Sequence, residues 1–507
     1  MMQAVILAGG KGTRLAERLR GQPKPLVDVC GQPLLRRQLD SLFAQGVEEV
    51  LLLVNHRADL IQAFVDSHPL AKRITLVDDG DPRGTAGALL AAFPLLRDRF
   101  VVIYGDTLFD VDIGRFIAAH NQAGADVSLL VHPNDHPADS DLVEVDEQGW
   151  IRAFHGYPHP PTSAFGNLVN AAMYVCERQA LAPWVDFPFP SDLAKNLFPR
   201  MLASGARLLG YESYEYIKDL GTPERLDKVE RHLLTGRVAR ASRREPQRAV
   251  FVDRDGTLNV PAGYITDPGR LHLFTGVAES IRRLNDAEYR VVLATNQPVL
   301  ARGECDAAAM RRIHARLQTK LGRAGAYLDG VRLCPHHPDS GFIGEVSALK
   351  GDCDCRKPKP GMLLTAAADM NIDLGRSWMV GDSSKDIGCA AAAGVTSVLV
   401  LTGEAGRDGG EDLFPDFVVS DFSQAVELIL DGVPSLMKIL ATELADETGG
   451  VAVLNGGAQA KRSVQAVLRM MSRGNIREDA SFDGDRPRVK TLDADALYAR
   501  LLKDIGS

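Results

Sequence analysis

Two clusters of phosphate-handling residues stand out, each directly after a short apolar run that reads as a strand. The first is Leu7-Ala8-Gly9-Gly10-Lys11-Gly12-Thr13-Arg14-Leu15. Glycines at 9, 10 and 12 let backbone N–H groups approach a triphosphate, and Lys11 and Arg14 add charge-assisted contacts to its oxygens. The second is Asp253-Arg254-Asp255-Gly256-Thr257-Leu258. Two carboxylates so spaced suit a two-step hydrolysis: Asp253 attacks phosphorus, and Asp255 protonates the departing oxygen and then activates water. A third constellation, Cys334-Pro335-His336 with Cys353-Asp354-Cys355, puts three thiols and one imidazole on two short loops. That Cys₃His set suits a closed tetrahedral Zn²⁺ site, here structural.

The elements that must position these residues are legible as alternation. From Gln3 to about Leu234, β-branched runs (Val5-Leu7, Val50-Val54, Ile74-Val77, Phe100-Tyr104, Val127-Val131) alternate with longer amphipathic stretches, which predicts an α/β sheet, mostly parallel. The pattern restarts at Ala249-Val252, continues through Arg290-Ala294, Trp378-Val380, Ser397-Leu401 and Phe417-Val419, and fades near Gly432. The expected organisation is a Rossmann-like α/β domain over 1–235, an Arg-rich solvated linker over 236–248, a second α/β domain over 249–432 and a small appendage over 433–507. The appendage offers a helix-like start at Leu436-Glu443 and a strand-like run at Gly450-Leu454. Its Gly456-Gly457-Ala458-Gln459-Ala460-Lys461-Arg462-Ser463 stands where a P-loop would, but has Lys-Arg-Ser where that motif needs Gly-Lys-Ser. A packing appendage or a degenerate kinase-like remnant is the reading.

A chain of 507 residues is too long for one core. With 45% hydrophobic and 24% charged residues it has ample apolar material to fold. A net charge of -8 gives no general attraction to nucleic acid or to anionic membrane, and the arginines of the linker have no interleaved aromatics for base stacking. No run approaches the ~18 apolar residues that span a bilayer, so a soluble cytoplasmic protein is expected. Seven cysteines, with Cys30, Cys176, Cys305 and Cys389 scattered singly, do not lay out a disulfide framework.

The first cluster is followed by Pro23-Lys24-Pro25-Leu26, Gly31-Gln32-Pro33-Leu34, Gly84-Thr85-Ala86-Gly87-Ala88-Leu89, Gly105-Asp106 and Lys218-Asp219-Leu220-Gly221-Thr222-Pro223-Glu224-Arg225-Leu226. Residues 2–233 thus resemble the sugar-1-phosphate nucleotidyltransferases. The resemblance implies in-line attack of a sugar phosphate on the α-phosphorus of a nucleotide, with Asp106 and Asp219 holding Mg²⁺. It implies that Lys24 and Arg14 brace the phosphates, that Gly9, Gly10, Gly12 and Thr13 cradle them, that Gly84, Thr85 and Gly87 line the base pocket, and that Asn170 contacts the sugar. The chain departs from the family where an acidic-Lys-Pro triplet should follow a phenylalanine: Phe154 is followed by His155-Gly156-Tyr157-Pro158. His155, Arg152 and Lys195 are the substitutes at hand.

The second cluster is followed by Thr295-Asn296-Gln297, Arg356-Lys357-Pro358-Lys359-Pro360-Gly361-Met362 and Gly381-Asp382-Ser383-Ser384-Lys385-Asp386. These resemble the motifs of the haloacid dehalogenase-like phosphatases. The resemblance implies a nucleophile at Asp253, an acid/base at Asp255, a phosphate donor at Thr295 and a neutralising cation at Lys357. Mg²⁺ would sit on Asp253, the Asp255 main chain and Asp382, with Asp386 in support. With the Cys/His loops, the region 249–432 looks like the D-glycero-D-manno-heptose 1,7-bisphosphate 7-phosphatases and the related histidinol phosphatases, which implies substrate contacts at Asn296, Gln297, Arg302 and Arg356. Pro298-Val299 stands where small residues, Ser-Gly, are usual.

A heptose bisphosphate phosphatase yields the heptose 1-phosphate that such a transferase consumes, so the expectation is a bifunctional enzyme of nucleotide-activated heptose formation. Its partners would be a sugar phosphate and a nucleoside triphosphate, GTP by analogy, with a homo-oligomer left open. The alternatives are a mannose-1-phosphate guanylyltransferase fused to a histidinol-phosphatase-like phosphatase, and a phosphatase whose N-terminal half senses nucleotide without turnover.

Overall fold

The computed structural model describes every residue except 1, 11, 161–162, 411–413, 446–450, 474–488 and 507. Lys11 and the Gly450 start of the expected strand lie outside the described residues. The chain divides into two compact units, Met1–Glu245 and Pro246–Ser507.

The first unit is built on strands β1 (Gln3–Leu7), β2 (Glu49–Val54), β3 (Ile74–Asp78), β4 (Arg99–Tyr104), β5 (Thr107–Asp110), β6 (Val127–His132), β7 (Leu142–Val145), β8 (Ile151–His155), β9 (Val169–Glu177), β10 (Leu208–Glu212) and β11 (Tyr216–Asp219). The main sheet runs β8-β7-β9-β4-β1-β2-β3, with β6 pairing both β9 and β10. Its β4-β1-β2-β3 wing is parallel. The other wing turns on β9, antiparallel to β4, β6 and β7, so the sheet is more mixed than its alternation suggests. The parallel strands read as unbroken apolar runs because both faces are covered. Ala4, Ile6 and Ala8 enter one core, and Val5 and Leu7 enter the other. A small antiparallel pair, β5 with β11, sets Asp219 opposite Thr107.

The Arg-rich stretch differs from the solvated linker expected of it. Arg237–Arg240 form a short helix. Arg243 ion-pairs with the buried Glu215 at 3.5 Å and stacks over Tyr214 at 4.9 Å. A buried carboxylate demands a cation, and that demand draws the arginine inward.

The second unit carries a six-stranded parallel sheet of β12 (Ala249–Val252), β13 (Arg290–Asn296), β14 (Gly330–Cys334), β15 (Trp378–Gly381), β16 (Thr396–Val400) and β17 (Phe417–Val419), in the order β14-β13-β12-β15-β16-β17. Beyond it follow helix Val433–Ala445, β18 (Val451–Asn455), helix Ala458–Arg473, β19 (Val489–Asp493) and helix Ala494–Gly506, with β18 and β19 a parallel pair. Leu436, Leu440, Val464, Val467, Leu497 and Leu501 share one buried cluster with Val250, Val398 and Phe417. The turn compared with a P-loop is already filled. The Gly457 N–H donates to both carboxylate oxygens of Asp495, at 2.9 and 3.1 Å, where a phosphate would otherwise dock. No helix among the described residues is long and apolar enough to cross a membrane.

Because the C-terminal residues complete the core of the second unit, Leu501→Ala should destabilise that unit by about 2–5 kcal/mol. A urea melt followed by far-UV circular dichroism would show the loss. An unchanged midpoint would mean that the segment lends the core nothing.

Two candidate phosphate sites and a candidate metal centre

In the first unit a cavity of about 320 Å³ opens at the C-terminal ends of β4, β1, β2 and β3. Gly9, Gly10, Gly12, Lys24, Gly84, Thr85 and Asp106 line it. Lys24 is largely buried and ion-paired with Asp106. The Leu220 N–H donates to the Asp106 carbonyl at 2.8 Å, which ties the end of β11 to the residue after β4. Asp219 is thereby brought beside Asp106. Arg225 Nη1 donates to both Asp219 oxygens, at 2.9 and 2.7 Å, and the Gly221 N–H donates at 3.1 Å. Burial pushes the Asp219 carboxyl up, but the Arg225 charge and these hydrogen bonds outweigh it and hold the group below the usual range. Arg14 stands next to this pair, since a Cβ added to Gly221 would lie 3.4 Å from Arg14 Nη2 and 2.8 Å from Asp219 Oδ2. Thr13, on the same short turn, is exposed.

Glycine at 84 is demanded twice. Its φ is +73°, and a Cβ there would meet the Ser191 carbonyl oxygen at 2.2 Å. Thr85 lines the cavity while its hydroxyl donates to Asp192 Oδ2 at 2.8 Å. Gly87 is a correction: helix Gly84–Ala91 turns it away from the cavity, where it is buried against Arg83 and Phe189, and Ala88 lines the cavity instead. Residues three apart on a helix share a face only roughly, and 85 and 88 face the cavity together.

Asn170 lies outside that cavity, at the irregularity where β9 leaves β6, with its amide donating to the Tyr174 hydroxyl at 3.0 Å. The substitutes expected for the missing lysine are each engaged. His155 stacks on Phe165 at 4.1 Å and faces Glu144, Arg152 pairs with Asp146, and Lys195 lies 3.7 Å from Asp141.

The second unit gathers its carboxylates at the C-terminal ends of β12 and β15. Lys357 Nζ donates to Asp253 Oδ1 at 2.7 Å, to Asp386 Oδ1 at 2.6 Å and to the Ala294 carbonyl at 2.8 Å. Asp253, Asp382 and Asp386 each offer an oxygen within 4.8 Å of the others. Burial, then the charge of Asp386, raises the Asp253 carboxyl to about 6 against the pull of Lys357. Burial and the neighbouring Asp253 raise Asp382 to about 7. Three crowded carboxylates served by one ammonium form a donor set that fits a divalent cation. Gly256 makes room for it: its φ is +83°, and a Cβ there would fall 2.1 Å from Asp382 Oδ2.

Asp255 is held by three donors. Arg254 grips it through Nη2 at 2.8 Å and Nε at 3.2 Å, Gln297 Nε2 donates at 2.9 Å, and Asn259 Nδ2 donates at 3.1 Å. Burial pushes its carboxyl up, yet Arg254 and these bonds leave it below the usual range. Arg254 itself is 0% exposed and packs against His314, which burial and the Arg254 charge lower to about 3, hence neutral. Neither Arg254 nor Asn259 follows from motif spacing alone; an arginine set between two aspartates at a strand end was the available signal.

Gln297 also donates to Thr295 Oγ1 at 2.9 Å, which leaves the threonine O–H to donate elsewhere. Asn296 is a second correction to the expected substrate contacts. Its amide donates to the Lys357 carbonyl and accepts from the Lys357 N–H, both at 3.1 Å, so it clamps the main chain beneath the lysine. Arg302 lies between Tyr264 and Phe342, 4.6 and 4.4 Å from their rings. Arg356 donates to the His336 carbonyl at 3.1 Å.

The cysteine loops converge as their spacing implied. Cys334 Sγ lies 3.7 Å from Cys353 and 3.2 Å from Cys355, Cys353 lies 3.3 Å from Cys355, and His336 Nδ1 lies 3.3 Å from Cys355. A zinc tetrahedron with Zn–S bonds of about 2.3 Å has edges of about 3.8 Å, and these four atoms, all within 4.8 Å of one another, are gathered on that scale. All seven cysteines are free, and His337 points instead toward Arg302.

Residues 3–236 match the nucleotidyl transferase family model, and residues 354–425 match the HAD-hydrolase-like model. The chain is 41% identical over 164 residues, 32% of its length and 85% of the relative, to D-glycero-beta-D-manno-heptose-1,7-bisphosphate 7-phosphatase of Yersinia pestis. It is 37% identical over 193 residues to the protein of the same name from Photorhabdus laumondii, covering 38% of this chain and 94% of that one. Its first half is similar to the crystal structure of HddC from Yersinia pseudotuberculosis, at 25% identity and TM-score 0.40, over 46% of this chain and all of that one. By fold and site the chain joins a nucleotidyl transferase domain to a HAD-like hydrolase. More narrowly, it belongs through its second unit to the family of the D-glycero-beta-D-manno-heptose-1,7-bisphosphate 7-phosphatases.

If Asn296 positions Lys357, Asn296→Ala should lower kcat for phosphate release about tenfold, the worth of two modest hydrogen bonds, with little change in KM. A substrate contact would raise KM instead, and steady-state kinetics distinguishes the two.

Proposed function

We propose that this chain catalyses two steps of nucleotide-activated heptose formation. The second unit removes the 7-phosphate of D-glycero-D-manno-heptose 1,7-bisphosphate, and the first transfers GMP to the resulting heptose 1-phosphate. The observation that carries this reading is the Lys357 bridge between Asp253 and Asp386, in a unit 41% identical over 164 residues to such a phosphatase and in one chain with a nucleotidyl transferase domain. A sugar 1-phosphate leaving one reaction is the substrate of the other.

In the phosphatase, Asp253 attacks phosphorus through its free oxygen while Lys357 balances the charge. The bond from phosphorus to the sugar oxygen breaks, and Asp255, whose carboxyl takes up a proton when the negative charge of the substrate phosphate is set beside it, delivers that proton to the oxygen. Asp255 then takes a proton from water as the water oxygen attacks the aspartyl phosphate, releasing phosphate and restoring Asp253. The Thr295 hydroxyl, already accepting from Gln297, donates to a phosphoryl oxygen. Arg302 and Arg356 meet the second phosphate of the substrate. Mg²⁺ on Asp253, Asp382 and the Asp255 main chain would offset the charge of the phosphoryl group. Cys334, His336, Cys353 and Cys355 would hold a structural Zn²⁺.

In the transferase, the glycine loop and Lys24 hold the triphosphate, Asp106 and Asp219 would hold Mg²⁺, and a sugar phosphate oxygen displaces pyrophosphate from the α-phosphorus. The paired state of His155, Arg152 and Lys195 favours a second reading, in which the first unit binds nucleotide without turnover.

A one-pot assay with the heptose bisphosphate, Mg²⁺ and GTP or ATP, read by mass spectrometry, decides between them. Nucleotide sugar supports the first reading, and phosphate without pyrophosphate supports the second. Asp253→Asn should cut phosphate release by roughly a thousandfold or more while nucleotidyl transfer from supplied heptose 1-phosphate persists. Loss of both would contradict two independent sites. Cys353→Ser should lower the zinc bound per chain in elemental analysis, whereas unchanged zinc would remove that site.

A further inference from the structure

We propose that Asp79, oriented by Asn55, reads the base of the nucleotide and selects guanine. The inference rests on the reading of the first unit as a nucleotidyl transferase and adds to it the residue that fixes which nucleotide is used.

Position comes first. The cavity follows the C-terminal ends of adjacent parallel strands in the order β4, β1, β2, β3. Asp106 follows β4, Gly9 and Gly10 follow β1, Asn55 follows β2, and Asp79 follows β3. From the catalytic carboxylate to Asp79 is therefore three strand spacings, roughly 14 Å. A nucleotide with its phosphates on the glycine loop, at Lys24 and Asp106, lays its base toward Asn55 and Asp79.

The carboxylate there is built rather than incidental. The Asp79 N–H donates to the Val54 carbonyl at 3.1 Å, fixing its backbone across the two strand ends. Asn55 Nδ2 donates to Asp79 Oδ1 at 2.8 Å and to the Gly80 carbonyl at 2.6 Å, so both amide hydrogens are spent on orienting this corner. Among the described residues no cation pairs with the carboxylate and no donor reaches Oδ2. Arg83, which also lines the cavity, turns its guanidinium over the Phe189 ring at 4.9 Å and meets Asp79 at its carbonyl. A negative charge facing a pocket for a polyanion opposes binding unless it accepts hydrogen bonds from the ligand.

A carboxylate only accepts. Guanine is the base whose pairing edge offers two adjacent donors, N1–H and N2–H. Adenine and cytosine set a ring lone pair beside their single exocyclic donor, and uracil and thymine flank N3–H with two carbonyls. Asp79 rewards the first pattern and repels the others. Its Oδ1, which accepts one bond from Asn55, keeps a second lone pair for the base.

The test uses the full-length protein with Mg²⁺. Binding of GTP, ITP, XTP, ATP and UTP is measured by displacement of a fluorescent GTP analogue, and pyrophosphate release with heptose 1-phosphate is read separately. The wild type should bind GTP roughly tenfold or more tighter than ITP, which lacks the 2-amino donor. Asp79→Asn should lower GTP binding by a similar factor and raise XTP above GTP, because an amide can donate to the 2-oxo group of xanthine while accepting from N1–H. That XTP gain also shows the variant is folded. Wild-type binding of ATP or UTP as tight as GTP, equal binding of ITP and GTP, or a uniform loss for every nucleotide in the variant overturns the proposal. Guanine selectivity without pyrophosphate would sink the transferase reading and leave this one standing. Pyrophosphate formed equally with ATP or UTP would do the reverse.

Discussion

A buried ammonium among three carboxylates is the interaction on which the candidate site of the second unit depends. Lys357 Nζ makes all three of its hydrogen bonds inside the protein, two of them to Asp253 and Asp386. Burial lowers its proton affinity, but the two carboxylates raise it further, so the amine stays charged. Removing such a cation leaves uncompensated buried charge, which costs about 3–5 kcal/mol. The cation lets an acidic cluster exist, and the residual excess of negative charge suits the cluster to a divalent cation.

The first unit solves the same problem on a different sheet. Lys24 neutralises Asp106 and Arg225 neutralises Asp219, and both pairs stand at strand ends where backbone direction brings loops together. Parallel strands buried on both faces leave only their ends for polar chemistry. That constraint explains why the glycine loop and the Asp253-Asp255 pair each directly follow an apolar run.

Motifs of this kind were legible because each is built from short contiguous pieces, most of them at or just after a strand end. The glycine loop, Asp253 with Asp255, and the Cys/His quartet all lie where the spacing set them. What the sequence did not disclose depends on facing. Gly87 and Thr85 sit on one helix, and only coordinates tell which looks into the cavity. Asn296 reads as a substrate ligand beside Thr295, yet its amide is matched to the Lys357 main chain sixty-one positions away. Arg243 lies in a stretch without apolar periodicity, and its inward turn comes from the buried Glu215, a long-range partner that composition cannot reveal. The C-terminal segment was hidden for the same reason: Leu501 and Val464 look like ordinary amphipathic positions until Val250 and Phe417 are set beside them.

The cysteine cluster is tied to Lys357 by one short covalent connection. Cys353 and Cys355 immediately precede Arg356 and Lys357, so whatever fixes the thiols also fixes the start of the lysine segment. Arg356 reaches back to the His336 carbonyl on the other loop, and Asn296 holds the Lys357 main chain from β13. The lysine is thus placed from three sides, by the thiol and imidazole cluster, by a strand-end amide and by the carboxylates it neutralises. A long flexible side chain in a catalytic centre loses much rotamer freedom on ordering. Fixing its backbone from independent elements leaves only the side chain to be ordered by the Asp253 and Asp386 contacts. A structural metal held two residues from Lys357 would therefore act on that lysine through geometry rather than through its own charge.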